Sequence, residues 1–185
     1  MLHSGQGDDG KTKIFNCDQR LSKSSLVAEA LGSVDEINSW LGLCKVKTKD
    51  FDGSLDIAGL SLEKIIEEVQ NGLFSVQAEI AGADKKVAPE EVVKMETWLK
   101  EIETELPPIK SFLIAGGTEL SALFDFSRTV ARRAERMVVR VSDTGEVKLE
   151  KNTTAFMNRL SSLLYGLARL ANHRAGIEEK KPEYR

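Results

Sequence analysis

The sequence predicts an all-α fold: a single five-helix bundle preceded by an irregular glycine-rich loop. Three observations carry that reading. Apolar residues recur at three- and four-residue spacing over five long stretches. Only four prolines occur in 185 residues, so little interrupts those stretches. The joints between them are short, which suits antiparallel neighbours in a bundle.

The stretch from Met1 to about Ser24 lacks periodicity and carries Gly5, Gly7 and Gly10, so it reads as a loop. The first helix spans about Ser25 to Lys45, with Val27, Leu31, Val34, Ile37, Leu41 and Cys44 on one face. The second, about Ser61 to Ala81, repeats the pattern with Leu62, Ile65, Val69, Leu73, Val76 and Ile80. The third opens on Pro89, a favoured first-turn residue, and stops before Pro107-Pro108. A short extended segment, Lys110 to Ala115, meets Gly116-Gly117, and Thr118-Glu119 open a fourth helix reaching about Val141. After the turn Ser142-Asp143-Thr144-Gly145 the fifth runs from about Asn152 to Ala175. One domain, 1–185, follows: a loop over 1–24, a bundle over 25–175 and a tail over 176–185.

Composition narrows the function. With 41% hydrophobic and 30% charged residues the chain fits one globular domain able to bury a core. A net charge of −3 gives no basic excess for a nucleic-acid backbone, so no nucleic-acid partner is expected. No apolar run approaches the ~20 residues that span a bilayer, so no membrane partner is expected either. Cys17 and Cys44 form no CxxC and have no histidine close by, which argues against a disulfide framework or a zinc site. The first residues lead straight into the polar glycine loop, predicting no signal or transit peptide. The cytoplasm is the expected compartment, although a trimmed organellar protein reads the same way.

Gly5 to Thr12 fits the pattern G-x-x-x-x-G-K-[ST] of a phosphate-cradling P-loop. The context does not fit, because no strand precedes Gly5 and no helix pattern follows Thr12. Asp8 and Asp9 would also repel a phosphate unless a cation sits between. Two readings stay open here: a backbone phosphate loop assisted by Mg²⁺, or a plain mobile terminus. On the fourth helix Arg128, Arg132 and Glu135 lie at i, i+4 and i+7 beside the apolar stripe. Such guanidiniums can grip triphosphate oxygens, or they can serve as surface helix ion pairs. On the fifth helix Asn158, Ser162, Tyr165, Arg169 and Asn172 form a polar stripe opposite Phe156, Leu160, Leu163, Leu164, Leu167 and Leu170. That stripe is a site wall, a subunit contact or a solvated face. Asp35 and Glu36 adjoin the buried stripe of the first helix, where acids usually pair with an arginine of this or a neighbouring subunit. Phe112, judged alone, reads as core. No Glu-x-x-His pair exists for a di-iron bundle, and neither cysteine has a base nearby in sequence.

Three ordered blocks carry a resemblance. SGQGDDGKT followed by RLSK and EALGSVDEINSWLGL is similar to a T-x-x-G-D-x-G-x-T loop and a G-x-V-D-E-L-N-S helix. FLIAGGTELSALFDFSRTVARRAER is similar to F-I-L-P-G-G followed by A-R-T-x-x-R-R-A-E-R. FMNRLSSLLYGLARLANH is similar to an N-R-L-S-D helix ending in Y-A-N-H. Together they resemble the PduO-type corrinoid adenosyltransferases over nearly the whole chain.

The resemblance implies a homotrimeric five-helix bundle with ATP bound between adjacent subunits. The activity it implies is transfer of the 5′-deoxyadenosyl group of ATP to the cobalt(I) of cobalamin or another corrinoid, leaving triphosphate. Ser4, Gly5, Gln6, Gly7, Thr12, Lys13 and Lys23 would wrap the ATP phosphates with Mg²⁺ among them. Arg132, Arg133, Ala134, Glu135, Arg136 and Asn158 would complete the nucleotide site. Asp35 and Arg128 would form a salt bridge joining subunits, and Phe112 would lie under the corrin ring and keep the lower ligand off cobalt. A corrinoid reductase and an adenosylcobalamin-dependent enzyme are the implied partners. Cobalt(I) is itself a strong nucleophile, which agrees with the absence of an activated Ser, Cys or His. The sequence departs from the family pattern at Ser4 (usually Thr), Gln77 (usually small), Ala115 (usually Pro) and Ser162 (usually Asp). The last two motivate an alternative, a non-catalytic corrinoid- or ATP-binding module; a helical assembly protein without a ligand is a third reading.

Overall fold

Ser25, Ser61 and Thr118 each stand one residue ahead of a helix and accept a backbone N–H from the first turn, of Ala28, Lys64 and Ser121 respectively. Short hydroxylated residues do this because their side-chain oxygen satisfies a donor that has no partner within the helix. Helix α3 opens with Pro89, and the Glu91 carboxylate accepts the Ala88 N–H at 2.9 Å. The computed structural model describes residues 3, 5–14, 20–51 and 55–184. Within them lie α1 (Leu26–Lys47), α2 (Leu62–Ile80), α3 (Pro89–Glu105), α4 (Glu119–Asp143) and α5 (Lys151–Arg174). These are the five predicted helices, shifted by a residue or two at their ends, where assignments commonly vary. None is long and apolar enough to cross a membrane.

The start of α5 is capped from a distance. Its preceding residue, Glu150, makes no side-chain cap. Instead Glu79 of α2, only 5% exposed, accepts the Glu150 N–H at 2.6 Å and the Thr153 hydroxyl.

The amino-terminal segment corrects the sequence reading of a plain loop. It contains a two-stranded antiparallel ribbon, β1 (Lys11–Lys13) and β2 (Arg20–Ser22), with Thr12 opposite Leu21. Three-residue strands are too short for a period-two pattern to register. Ile14 is buried and Leu21 packs against the core, so the ribbon is anchored to the bundle through these two side chains.

The helices pack α4 against α5 and α1, α2 against α1, and α3 against α5. Ile37, Leu41, Leu73, Phe124, Phe156 and Leu160 are among the fully buried residues at the centre. Gly72 lets α2 approach α5, since a Cβ there would lie 2.4 Å from the Phe156 ring. The apolar stripe predicted for α5 is buried throughout. Its polar stripe changes character along the helix: Asn158 and Ser162 are exposed, Tyr165 is half-buried, and Arg169 and Asn172 are buried at 7% and 4% exposure. That gradient leads to the site.

Candidate active site

Pro107-Pro108 end α3, and residues 107–117 run without regular structure to the start of α4. Both ends of this arm are held by α5. At the first, Arg169 donates from Nη2 to the Pro107 carbonyl at 3.1 Å, while its Nε donates to Glu179 at 2.9 Å. At the second, Asn172 Nδ2 donates to the Gly116 carbonyl at 2.8 Å and Asn172 Oδ1 accepts the Thr118 N–H at 3.1 Å. Gly117 has φ +117°, and a Cβ on it would lie 2.3 Å from Asn172 Oδ1, so only glycine fits. The carboxyl-terminal tail meets the middle of the arm, where Ile114 N–H donates to the Lys180 carbonyl at 2.8 Å.

Between arm, α4 and α5 lies a cleft of about 680 Å³. The arm presents Phe112 to it, 78% exposed, which contradicts the core placement read for this residue alone. From α4 come Asp125, Arg128 and Arg132, and from α5 Ser162 and Tyr165. Arg128 Nε donates to Asp125 Oδ1 at 2.6 Å, and its guanidinium lies 5.8 Å from the centre of the Tyr165 ring. The acid and the ring fix this arginine from two sides. One turn on, Arg132 is exposed and, among the described residues, makes no hydrogen bond or ion pair; the same holds for Arg136. An unpaired cation facing a cleft is available to an anion.

The remaining predicted residues divide. Glu135 accepts from Asn158 Nδ2 at 3.1 Å, so these two meet across α4 and α5. Arg133 pairs with Glu36 of α1 and is not among the residues lining the cleft. Ala134 is fully buried in the core, so its methyl is unavailable to a ligand. Asp35 is exposed and unpaired among the described residues; Arg128 of the same chain is held by Asp125 instead. Thr12 and Lys13 lie in the ribbon, Gly5, Gln6 and Gly7 in the turns that precede it and Lys23 just after it; none of them lines this cleft. Ser4 lies outside the described residues.

The ribbon has its own order. Asp8 N–H donates to the Gly5 carbonyl and Gly10 N–H to the Gly7 carbonyl, both at 3.2 Å. Gly5 and Gly10 adopt φ of +67° and +77°, which glycine reaches without steric penalty. A Cβ on Gly7 would lie 3.0 Å from Lys23 Nζ, so the absence of a side chain admits the ammonium. Asp9 is bound by the Lys11 N–H at 3.1 Å and by Arg20 at 2.8 and 2.9 Å. The Lys11 N–H, and after it Arg20, hold its carboxyl below the usual aspartate range. Arg20 is thus the cation that offsets one of the two loop aspartates. Thr12 sits in a strand, not at a helix start, so the P-loop geometry is absent.

Sequence reasoning missed Asp125, although its i,i+3 spacing to Arg128 was a readable signal. It also missed the tail residues Glu179 and Lys180, for which no local signal exists.

The comparisons with known proteins agree with this geometry. The cobalamin adenosyltransferase family model matches residues 2–171. The corrinoid adenosyltransferase PduO of Citrobacter freundii is 33% identical over 181 residues, covering 94% of this chain and 50% of its own, so the chain spans half the length of that relative. The corrinoid adenosyltransferase of Bacillus subtilis is 31% identical over 186 residues, covering 98% of this chain and 92% of its own. Among solved structures, a phenylalanine-to-alanine variant of the PduO-type ATP:corrinoid adenosyltransferase from Lactobacillus reuteri, complexed with cobalamin and ATP, superposes with a TM-score of 0.85. It is 28% identical and covers all of both chains. Five helices in the predicted order, an exposed phenylalanine facing a cleft lined by arginines, and a family match from residue 2 to 171 lead to one conclusion: this chain belongs to the cobalamin adenosyltransferase family.

Proposed function

We propose that this chain transfers the 5′-deoxyadenosyl group of ATP to the cobalt(I) of a corrinoid, giving adenosylcobalamin and triphosphate. The observation that carries the reading is the exposed Phe112 on a tethered arm, lining one cleft with the unpaired Arg132. In the transfer, the cobalt(I) lone pair attacks C5′, the C5′–O bond breaks, and triphosphate leaves with the bonding pair. The chain needs no nucleophile of its own for this. Its tasks are to align C5′ with cobalt and to stabilise charge on the departing triphosphate.

Arg132 supplies a two-donor fork for the phosphates, and Arg136 and the Glu135–Asn158 pair extend the same surface. The glycine turn, with Lys23 against Gly7, offers further backbone and ammonium donors. The described residues contain no cluster of three or more metal-ligating side chains, so Mg²⁺ would arrive with the nucleotide, held chiefly by phosphate oxygens and water. When bound, it would neutralise part of the triphosphate charge. Phe112 would lie beneath the corrin ring and exclude the lower axial ligand, which removes electron donation from cobalt(II) and eases its reduction.

The ribbon and the cleft do not share lining residues within one chain, which supports a nucleotide bridged between chains. Asp35, unpaired and exposed on α1, is available to Arg128 of a neighbour in a homotrimer. The Trp40–Phe126 ring pair, with centroids 4.6 Å apart and Phe126 exposed, supplies an apolar face of the kind oligomers bury. Cobalt(I) must be generated, so a corrinoid reductase would act upstream and an adenosylcobalamin-dependent enzyme downstream, in the cytoplasm.

Incubation with ATP, Mg²⁺ and chemically reduced cobalamin tests the proposal. A photolabile cobalt–carbon product supports it, and no product at any enzyme concentration overturns it. A second reading, ligand binding without turnover, is favoured by Ser162, a hydroxyl at the cleft wall where the resembling family carries a carboxylate. A large rate increase on Ser162→Asp would support that reading.

A further inference from the structure

Arg169 and Asn172 are three residues apart on α5, so they lie on one face of the helix. Both are buried, both carry polar side chains, and both spend those side chains on the arm that bears Phe112. Arg169 holds the Pro107 carbonyl where the arm begins. Asn172 holds the Gly116 carbonyl and the Thr118 N–H where it ends. Between these points the arm has no regular structure and carries an aromatic ring that is largely exposed.

A ring placed in water needs a reason to stay there. Left untethered, an irregular segment would sample many conformations and turn an aromatic side chain toward apolar surface. The arm is instead fixed at both ends to the most buried part of α5, and its middle is tied to the tail through Ile114 and Lys180. The tail is in turn held by Glu179, which accepts from the Nε of the same Arg169. Arg169 therefore joins arm, helix and tail.

We propose that Arg169 and Asn172 are positioning residues for the adenosyl transfer: they clamp both ends of the arm and so set the height of Phe112 in the cleft. The amide of Asn172 uses both its oxygen and its nitrogen on the arm, and Arg169 divides its donors between Pro107 and Glu179. Both also border the cleft, but the contacts they make run to the arm and the tail, so their effect on the reaction passes through Phe112. The proposal rests on the reading above that Phe112 excludes the lower ligand.

Gly117 supplies an independent handle on the same clamp. Its φ of +117° and the 2.3 Å approach of Asn172 Oδ1 mean that Gly117→Ala forces the turn off the amide while leaving Asn172 itself intact.

The test is electron paramagnetic resonance of cobalt(II) cobalamin bound with ATP and Mg²⁺, alongside adenosylation rates and thermal unfolding. In the wild type a fraction of the cobalt(II) should be four-coordinate. Asn172→Ala and Gly117→Ala should each cut that fraction and slow turnover by up to about a hundredfold, the scale a misplacement of ~1 Å at a reacting centre can cost. On a Phe112→Ala background the same changes should cost no further rate, because the clamp works only through that ring. If Asn172→Ala does not fold, Gly117→Ala carries the test. A four-coordinate fraction that survives both substitutions, or an equal rate loss with and without Phe112, would overturn the clamp and leave the adenosyltransferase reading standing. A wild type that never yields four-coordinate cobalt(II) would overturn the role of Phe112 and the clamp with it, whereas absence of any adenosylated product would overturn the transferase reading itself.

Discussion

Replacing Arg132 by alanine separates catalysis from folding. The guanidinium is exposed, lines the cleft beside Phe112, and makes no ion pair or hydrogen bond among the described residues. Its removal therefore leaves no partner stranded, and stability should stay within about 0.5 kcal/mol of wild type. The transition state is another matter. A hydrogen bond to a charged group contributes about 1.5–3 kcal/mol, so losing one to a developing triphosphate slows turnover roughly ten- to a hundredfold. Arg132→Lys should fall between, because the ammonium keeps the charge but not the planar fork. Arg140→Ala, about two turns further along α4 and also exposed, serves as the surface control. The assay is initial adenosylation rate with pre-reduced cobalamin and saturating ATP, paired with the thermal midpoint. Turnover within twofold of wild type, or a rate loss matched by unfolding in circular dichroism, would refute the reasoning.

Two further perturbations test the frame that holds the site. Glu79→Ala strips the acceptor from the Glu150 N–H and the Thr153 hydroxyl at the start of α5. It should cost about 2 kcal/mol, or roughly 4–8 °C in Tm by differential scanning calorimetry. Glu105 and Arg174 join the last residues of α3 and α5 through two 2.8 Å contacts. The hydrogen bond from Arg174 holds the Glu105 carboxyl below the usual glutamate range, against the opposing pull of burial. A lowered carboxyl pKa stabilises the fold above the ordinary glutamate value and loses that contribution as pH falls through the folded value. Glu105→Gln should therefore be less stable than wild type at neutral pH, with the gap closing on acidification. A gap that widens as the pH drops would contradict the assignment.

The helices were legible because an apolar stripe at helical spacing also marks the buried face. Ser25, Ser61 and Thr118 were legible as starting points because capping is local chemistry. What eluded sequence reading depends on partners distant along the chain. Glu79 caps a helix that begins some seventy residues later. The polar stripe of α5 was visible as a pattern, yet the backbone groups bound by Arg169 and Asn172 lie on an irregular arm that no periodicity describes. Phe112 shows the same limit from the other side. An apolar residue in an extended segment reads as core, and only the tethering of the arm explains how it remains exposed. The ribbon was too short to announce itself, and its Asp9–Arg20 pairing joins residues eleven positions apart in the sequence.

Subunit mixing offers the most direct test that one triphosphate is held by the glycine turn of one chain and the α4 arginines of another. Lys23→Ala and Arg132→Ala should each keep about a tenth of the wild-type rate or less when alone. In a cyclic trimer of mixed composition, one of the three sites pairs an intact ribbon with an intact α4. Equal mixing should therefore restore about a quarter of the wild-type rate. If subunit exchange is verified and activity does not return, the two halves of the site belong to a single chain and the shared-nucleotide account fails.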